Sequence, residues 1–559
     1  MNDGAPLWIQ SDGTLLADGQ HPDFPEAREF LRQVAELVKC PAGLHTYRLT
    51  PVTLWNAAEA GWTSEAVLER LGAYARRDVP PGVADEVRRR MGLYGRFRLV
   101  RREDRLLLEC RSAQDLAMVR EAGGAVRWLE GMIDERTAVV RGEGRGLLKQ
   151  ALAAAGIPVI DEAGYRDGGR LRVAMRAADD LGCPVQLRDY QQAAVDAFIA
   201  GGSGVVVLPC GAGKTWVGMG AIARLNCETL ILTPNGTSVS QWIRELTRRT
   251  TLTADEVGAY TGQQKQVRPV TVATYQVLTH RRSKADPYLH RSLFMGREWG
   301  LIIYDEVHLL PAPVFRMTAD LQATRRLGLT ATLVREDGRE TDVFSLIGPK
   351  RYELPWRAVE RKGFVARVRC TEVRVPLDAA TAARYAAASR RDRPRVAGEN
   401  PRKADALRDL LERHAGEPTL VIGHYLNQLR ALARRFSLPL VTGETPPAER
   451  QRLFDRFNRG EIRALAVSRV ANFAVDLPDA SVAIQVSGSF GSRQEEAQRL
   501  GRVLRPKAAP ASFYSLVSDG TVELEYSRKR RQFLLEQGYV YETEHWADEP
   551  LAFTGEGSS

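Results

Sequence analysis

One rhythm constrains this chain more than any other feature, and it runs twice. From about residue 187, short apolar runs rich in β-branched residues alternate with helical stretches: GVVVL (204–208), TLILT (229–233), VTVAT (270–274), GLIIYDE (300–306) and RRLGLT (325–330). The pattern restarts at TLVIG (419–423) and continues through LPLV (438–441), RALAV (463–467), SVAIQV (481–486) and ASFYSLV (511–517). Strands that are apolar throughout and separated by helices predict a parallel sheet covered on both faces. Ligands of such sheets bind outside the carboxyl ends of the strands, so two α/β domains in tandem can share a ligand.

At 559 residues the chain exceeds what one core can organise, and several folded units are expected. Ahead of the first α/β domain, helices are predicted at 52–60, 64–76 and 81–93. They precede GRFRLVRREDRLLLEC (95–110), two strands meeting at a charged turn around Glu103 and Asp104. Three helices and a hairpin predict a winged-helix-like unit. Residues 137–175 then read as strand, helix and strand. Between the α/β domains, residues 375–402 form an alanine-rich helical stretch followed by an arginine and proline cluster, compatible with a solvated linker or with a DNA-gripping insertion. The final LAFTGEGSS reads as a frayed tail.

A net charge of +10 favours a polyanionic partner, because each neutralised phosphate releases counterions. No apolar stretch approaches the ~18 residues of a membrane helix. The opening MNDGAPLWIQSDG has neither the basic start nor the apolar run of a secretory signal, so a cytoplasmic location is expected. The six cysteines are scattered without CxxC pairs or zinc spacing, which predicts reduced thiols and no structural metal.

Three motifs carry chemistry. GVVVL is followed by Pro209-Cys210-Gly211-Ala212-Gly213-Lys214-Thr215 and then by helix-compatible sequence. A glycine-rich turn between strand and helix aims backbone N–H groups and the helix dipole at a phosphate. Lys214 is then placed to reach the β and γ phosphates and Thr215 to ligate Mg²⁺. The spacing is the short GxGKT, not GxxxxGKT, because Leu208 stands five before Gly213. In the second motif, LIIY runs into Asp305-Glu306-Val307-His308. A strand-end aspartate can hold Mg²⁺ and the adjacent glutamate can activate water. The third, Gln498-Arg499-Leu500-Gly501-Arg502-Val503-Leu504-Arg505, sets Arg502 and Arg505 three apart on a predicted helix, from which both can address a γ-phosphate.

Together GAGKT, DEVH, LTAT and QRLGRVLR resemble superfamily 2 motors. Within that group, Arg335-Glu336-Asp337 after Leu329-Thr330-Ala331-Thr332, with SGSFGSRQEEAQRLGRVLR and FYSLVS, resembles the bacterial branch of the xeroderma pigmentosum group B (XPB) helicases. HTYRLTPVTLWNAAEAG is similar to the domain preceding the motor in that branch, and GLLKQALAAAGIPVIDEAGY to its small damage-recognition-like domain. The resemblance implies an ATP- and Mg²⁺-dependent 3′–5′ DNA helicase or translocase acting in repair, with single-stranded, forked or duplex DNA as partner. A duplex translocase that remodels protein–DNA complexes without unwinding stays open, as does an ATP-switched DNA-binding scaffold.

Residue by residue, the resemblance places Arg188 and Gln191 at the adenine, and Gly211, Ala212, Gly213 and Gln498 with the remainder of the ATP site. It assigns Thr233, Pro234, Gln241, Trp242, Thr274, Tyr275, Thr330 and Thr332 to DNA contact or coupling. It assigns Arg335, Glu336 and Asp337 to strand separation, and Asp476 in SRVANFAVD to coupling; that segment lacks the glycine many members carry before the acid. The implied fold class is α/β: two tandem RecA-like parallel-sheet lobes preceded by smaller α+β domains. The division is a helical, winged-helix-like domain (1–130), a small damage-recognition-like domain (131–180), lobe 1 (181–370), a short thumb-like insertion or linker (371–402), lobe 2 (403–542) and a tail (543–559).

Overall fold

The structure is a computed structural model that describes residues 4–39, 44–141, 144–165, 167–180, 182–209, 211–280, 297–310, 324–331, 340–362, 367–468, 480–488, 510–536 and 541–546. Packing divides the chain into two units, 1–209 with 213–354 and 355–559 with 210–212.

The first unit opens on four short strands, β1 (Leu7–Ile9), β2 (Thr14–Asp18), β3 (Glu36–Lys39) and β4 (Leu44–Arg48), in an antiparallel sheet of order β1-β2-β4-β3. Four helices, Phe24–Val34, Pro51–Glu59, Ser64–Tyr74 and Pro81–Leu93, share its core through Leu31, Leu54, Leu71 and Val87. A second sheet follows, built from β5 (Phe97–Arg102), β6 (Arg105–Cys110), β7 (Leu129–Met132), β8 (Thr137–Val140) and β9 (Ile160–Asp161) in the order β7-β8-β6-β5-β9. Its core joins Leu99, Leu106 and Leu108 to Leu116 and Val119 of helix Ala113–Glu121 and to Leu148 and Leu152 of helix Arg145–Ala154.

The winged-helix expectation therefore fails. The three helices stand where they were predicted, but the Phe97–Cys110 hairpin is not their wing. Its apolar positions build a separate core with helices Ala113–Glu121 and Arg145–Ala154, to which the three predicted helices contribute only Leu93. The hairpin turns through Glu103 and Asp104, both at positive φ, the twist-matched geometry of a two-residue loop.

Lobe 1 contains β10 (Gly204–Val207), β11 (Thr229–Thr233), β12 (Val257–Tyr260), β13 (Val270–Thr274), β14 (Leu301–Asp305), β15 (Arg325–Thr330) and β16 (Lys350–Glu353), all parallel, in the order β12-β13-β11-β14-β15-β10-β16. Every residue of β10, β11 and β13 is buried, which is why these strands read as unbroken apolar runs.

The second unit repeats the plan with β17 (Val368–Val375), β18 (Thr419–Ile422), β19 (Leu440–Val441), β20 (Ala464–Val467), β21 (Val482–Gln485), β22 (Ala511–Ser518) and β23 (Tyr541–His545), again all parallel and ordered β19-β20-β18-β21-β22-β17-β23. The divisions drawn after residues 130, 370 and 542 each fall inside a strand, β7, β17 and β23. Residues 375–402 are no solvated linker either. They hold helices Ala379–Ala387 and Arg393–Gly398, and Pro394, Val396 and Ala397 are buried. Among the described residues no helix is long and apolar enough to cross a membrane.

Candidate active site

The site stands at the carboxyl ends of the lobe 1 strands, where an open α/β sheet leaves room for a ligand. Strand β10 leads into the glycine-rich turn, and Gly213 caps helix Lys214–Leu225 in the left-handed conformation, with φ of 81°. A side chain is excluded there twice over. The φ favours glycine, and a Cβ would come within 2.4 Å of Gln191 Nε2. The amide of Gln191 thus lies against the turn. Its Oε1 accepts the Arg188 N–H at 2.9 Å, and the Arg188 guanidinium donates to the Tyr190 hydroxyl at 3.1 Å. The two residues assigned to adenine and the phosphate turn form one structure.

Lys214, in the first turn of its helix, extends to Glu306, with Nζ 3.1 Å from Oε1. Glu306 follows β14 and is itself left-handed, with φ of 49°, a strained position for a residue with a side chain. The preceding Asp305 accepts the Trp242 indole N–H at 2.9 Å through Oδ2 and the Glu306 N–H at 3.1 Å through Oδ1. Burial, reinforced by the neighbouring Glu306 carboxylate, pushes the Asp305 carboxyl up to about 6; the Trp242 hydrogen bond and Lys214 oppose the shift. His308 is buried, with Nδ1 2.8 Å from Thr330 Oγ1 and 3.5 Å from Glu306 Oε2, so the strand end of β15 touches the acidic loop through one imidazole.

Several side chains assigned to DNA contact or coupling are buried within the lobe. Thr233 and Thr330 are 0% exposed and Trp242 is 1% exposed; Tyr275 and Thr274 are buried as well. Trp242 belongs to the inward stripe Val239, Trp242, Leu246 of helix Gly236–Arg249, whose 3.6-residue periodicity turns it to the core. It fits because Gly218, on the P-loop helix, has no side chain; a Cβ there would come within 2.5 Å of the indole. The Tyr275 hydroxyl donates to the Asp305 carbonyl at 2.8 Å, and Thr274 caps helix Tyr275–Thr279 through its Oγ1. Trp242 and Tyr275 bond Asp305 directly and Thr330 meets the acidic loop through His308, so these buried side chains are engaged within the lobe. Pro234 and Gln241 are half-buried. Thr332, Arg335, Glu336, Asp337, Asp476, Gln498, Arg502 and Arg505 lie outside the described residues. Sequence reasoning gave no role to His308 or Tyr190, although His308 was visible as the last letter of DEVH.

The donor set suits Mg²⁺: the half-buried carboxylate of Asp305 and the hydroxyl of Thr215 in the first helical turn are hard oxygen ligands. Parallel-sheet lobes in tandem, a GxGKT turn and a strand-end Asp-Glu pair joined to its lysine define an ATP-driven motor of superfamily 2.

Comparison with known proteins narrows the class. Residues 359–548 match the ERCC3/RAD25/XPB C-terminal helicase model, residues 184–335 the model for the type III restriction enzyme res subunit, and residues 7–127 a helicase conserved C-terminal domain. The DNA 3′-5′ helicase XPB of Kineococcus radiotolerans is 52% identical over 97% of this chain and 96% of its own length. That of Mycobacterium tuberculosis is 49% identical over 97% and 98%. A general transcription and DNA repair factor IIH helicase/translocase subunit XPB from Antonospora locustae is 35% identical over 96% of this chain and 81% of its own. The chain belongs to the XPB family of helicases.

Proposed function

We propose that this chain is an ATP-dependent DNA 3′–5′ helicase whose hydrolytic centre is Lys214, Asp305 and Glu306. The carrying observation is the 3.1 Å contact between Lys214 and Glu306, which unites the phosphate-binding turn with the water-activating acid. When ATP enters, its phosphates compete for Lys214, and the glutamate is released to orient and deprotonate the attacking water. Gln191 and Arg188 read the adenine. Thr215 and Asp305 would hold Mg²⁺, which would supply neutralisation of phosphate charge. Arg502 and Arg505 contribute the cations that stabilise the transferring phosphoryl group, and Gln498 belongs with them. Arg335, Glu336 and Asp337 separate the strands at a fork, the guanidinium holding a phosphate while the carboxylates repel the displaced strand. DNA as substrate and the 3′–5′ polarity are supported by the names of the two bacterial relatives. A role in DNA repair, with partner proteins yet to be identified, and a cytoplasmic location belong to the same proposal.

The test is ATPase measured without nucleic acid and with single-stranded, duplex and forked DNA, alongside strand separation on 3′-tailed and 5′-tailed substrates. DNA-stimulated turnover with unwinding restricted to 3′-tailed substrates is the expected result. Turnover indifferent to DNA overturns the motor assignment, and stimulation without strand separation replaces helicase by duplex translocase.

A further inference from the structure

We infer that Trp216 is a nucleotide-contacting residue, its indole forming the wall of the site beside the ribose and purine, with Arg249 as the residue that positions it; this rests on the reading of Gly213, Lys214, Thr215 and Gln191 given above. Trp216 directly follows Thr215 in the first turn of helix Lys214–Leu225, and its N–H donates to the Gly213 carbonyl at 3.0 Å. Residues two apart on a helix leave it roughly 200° apart. Lys214 departs toward Glu306, just past the end of β14, and Trp216 therefore toward the opposite side.

That opposite side is where Gln191 stands. The place a Cβ would take on Gly213 is 2.4 Å from Gln191 Nε2 and 3.4 Å from Trp216 Cδ1, so the amide and the indole edge flank the same glycine. Gly220, one turn further along the Trp216 face, continues the alignment. A Cβ there would come within 2.9 Å of both Leu187 and Val195, which bracket Arg188 and Gln191 in sequence. The phosphate turn thus has its lysine on one flank and, on the other, an amide and a half-buried aromatic ring. A nucleotide whose phosphates sit at the helix N-terminus runs its ribose and base along the second flank, because the Lys214–Glu306 pair fills the first.

The indole is held in place. Arg249 Cζ lies over its ring, 4.7 Å from the centroid. Arg249 ends helix Gly236–Arg249, pairs with Glu245 and offers its carbonyl to the Arg176 N–H at 2.9 Å, while the neighbouring Arg248 reaches Asp179 at 2.8 Å. A ring already oriented by a guanidinium loses little freedom when a ligand arrives, which favours its use as a contact surface for a base.

The experiment uses the full chain and two probes, ADP with Mg²⁺ present and inorganic tripolyphosphate, with dissociation constants measured by calorimetry. Trp216→Ala should weaken ADP by about tenfold, the scale of one lost aromatic contact to a base, while tripolyphosphate stays within about twofold. Trp216→Phe should recover most of the ADP affinity, and Arg249→Gln should fall between the two. Tryptophan emission should change when ADP binds the unmodified chain, and Trp216→Phe should remove most of that change with the other tryptophans untouched. Unchanged ADP affinity in Trp216→Ala, an equal loss of both probes, or an emission change that survives Trp216→Phe in full overturns the inference. The underlying reading is tested separately by Lys214→Ala, which should weaken tripolyphosphate. If it does so and the Trp216 variants leave ADP unchanged, the inference fails and the reading stands; if tripolyphosphate binding is indifferent to Lys214, the reading fails.

Discussion

Each seven-stranded sheet carries a lysine–glutamate pair at the carboxyl ends of its strands, and the two pairs are kept in opposite conditions. In lobe 1, Lys214 and Glu306 meet at 3.1 Å with side chains 11% and 18% exposed, on a strained backbone, beside a second acid whose carboxyl burial has raised to about 6. In lobe 2, Lys403 and Glu523 meet at 2.7 Å with side chains 0% and 5% exposed. There the lysine also donates to the Val486 carbonyl at 3.0 Å, and the glutamate accepts the Ser518 N–H at 2.9 Å at the start of helix Val522–Glu536, where the helix dipole favours a negative charge. Burial lowers the proton affinity of Lys403, and the facing Glu523 opposes that loss. The same chemistry at the same edge of the same fold is partly exposed in one lobe and enclosed in the other.

The largest expected effect breaks the reactive pair. Glu306→Gln preserves volume but removes the base, and turnover should fall by roughly 10²–10⁴-fold while nucleotide still binds. Equilibrium ATP binding read together with steady-state ATPase checks this, and near-normal turnover would remove Glu306 from the chemistry.

Breaking the closed pair should cost stability instead. Glu523→Gln strands a buried lysine, which costs about 3–5 kcal/mol. Hydrogen exchange in β18 (Thr419–Ile422) should quicken accordingly, with protection in β11 (Thr229–Thr233) unchanged. A smaller effect is expected at Trp242→Phe, which deletes a hydrogen bond to a charged group worth about 1.5–3 kcal/mol. ATPase titrated at fixed Mg²⁺ should show a raised KM for ATP with little loss of fold. An unchanged KM would return Trp242 to a purely packing role. The smallest effect sharpens the contrast: Lys403→Met combined with Glu523→Leu removes both charges and should recover most of the stability lost by Glu523→Gln, since a buried pair is often replaceable by apolar groups. The equivalent double replacement of Lys214 and Glu306 should leave the enzyme inactive however well it folds.

What the sequence disclosed follows from where information is local. The lobes were legible because strands such as Thr229–Thr233 are buried on both faces and announce themselves as apolar runs. The P-loop and the Asp305-Glu306 pair were legible because their geometry depends on a few consecutive residues. The amino-terminal sheet was not, since strands of three to five residues such as Leu7–Ile9 and Thr14–Asp18 leave little periodicity to read. Trp242 shows a different limit of local reading. A motif marks a neighbourhood, but side-chain direction is set by the stripe Val239, Trp242, Leu246, and that stripe points to the core. Contacts such as Gln150 to Asp342, 192 residues apart in sequence, have no local signature at all.

Strand β16 has one further consequence. It closes one side of the lobe 1 sheet, next to the strand that feeds the phosphate turn, and a strand in that place offers unpaired backbone groups to any passing chain. Here that hazard is covered from outside the lobe. Asn56 takes the Lys350 N–H at 3.1 Å, Glu59 takes Arg351, and Arg32 reaches Glu353 at 3.2 Å; against the effect of burial, Lys350 and then Arg32 hold that carboxyl down at about 2. The amino-terminal domain therefore covers part of this sheet margin. A motor shortened to begin near residue 181 would expose a sticky sheet margin, and poor solubility of such a fragment would reflect a lost cover, not a defect in the motor itself.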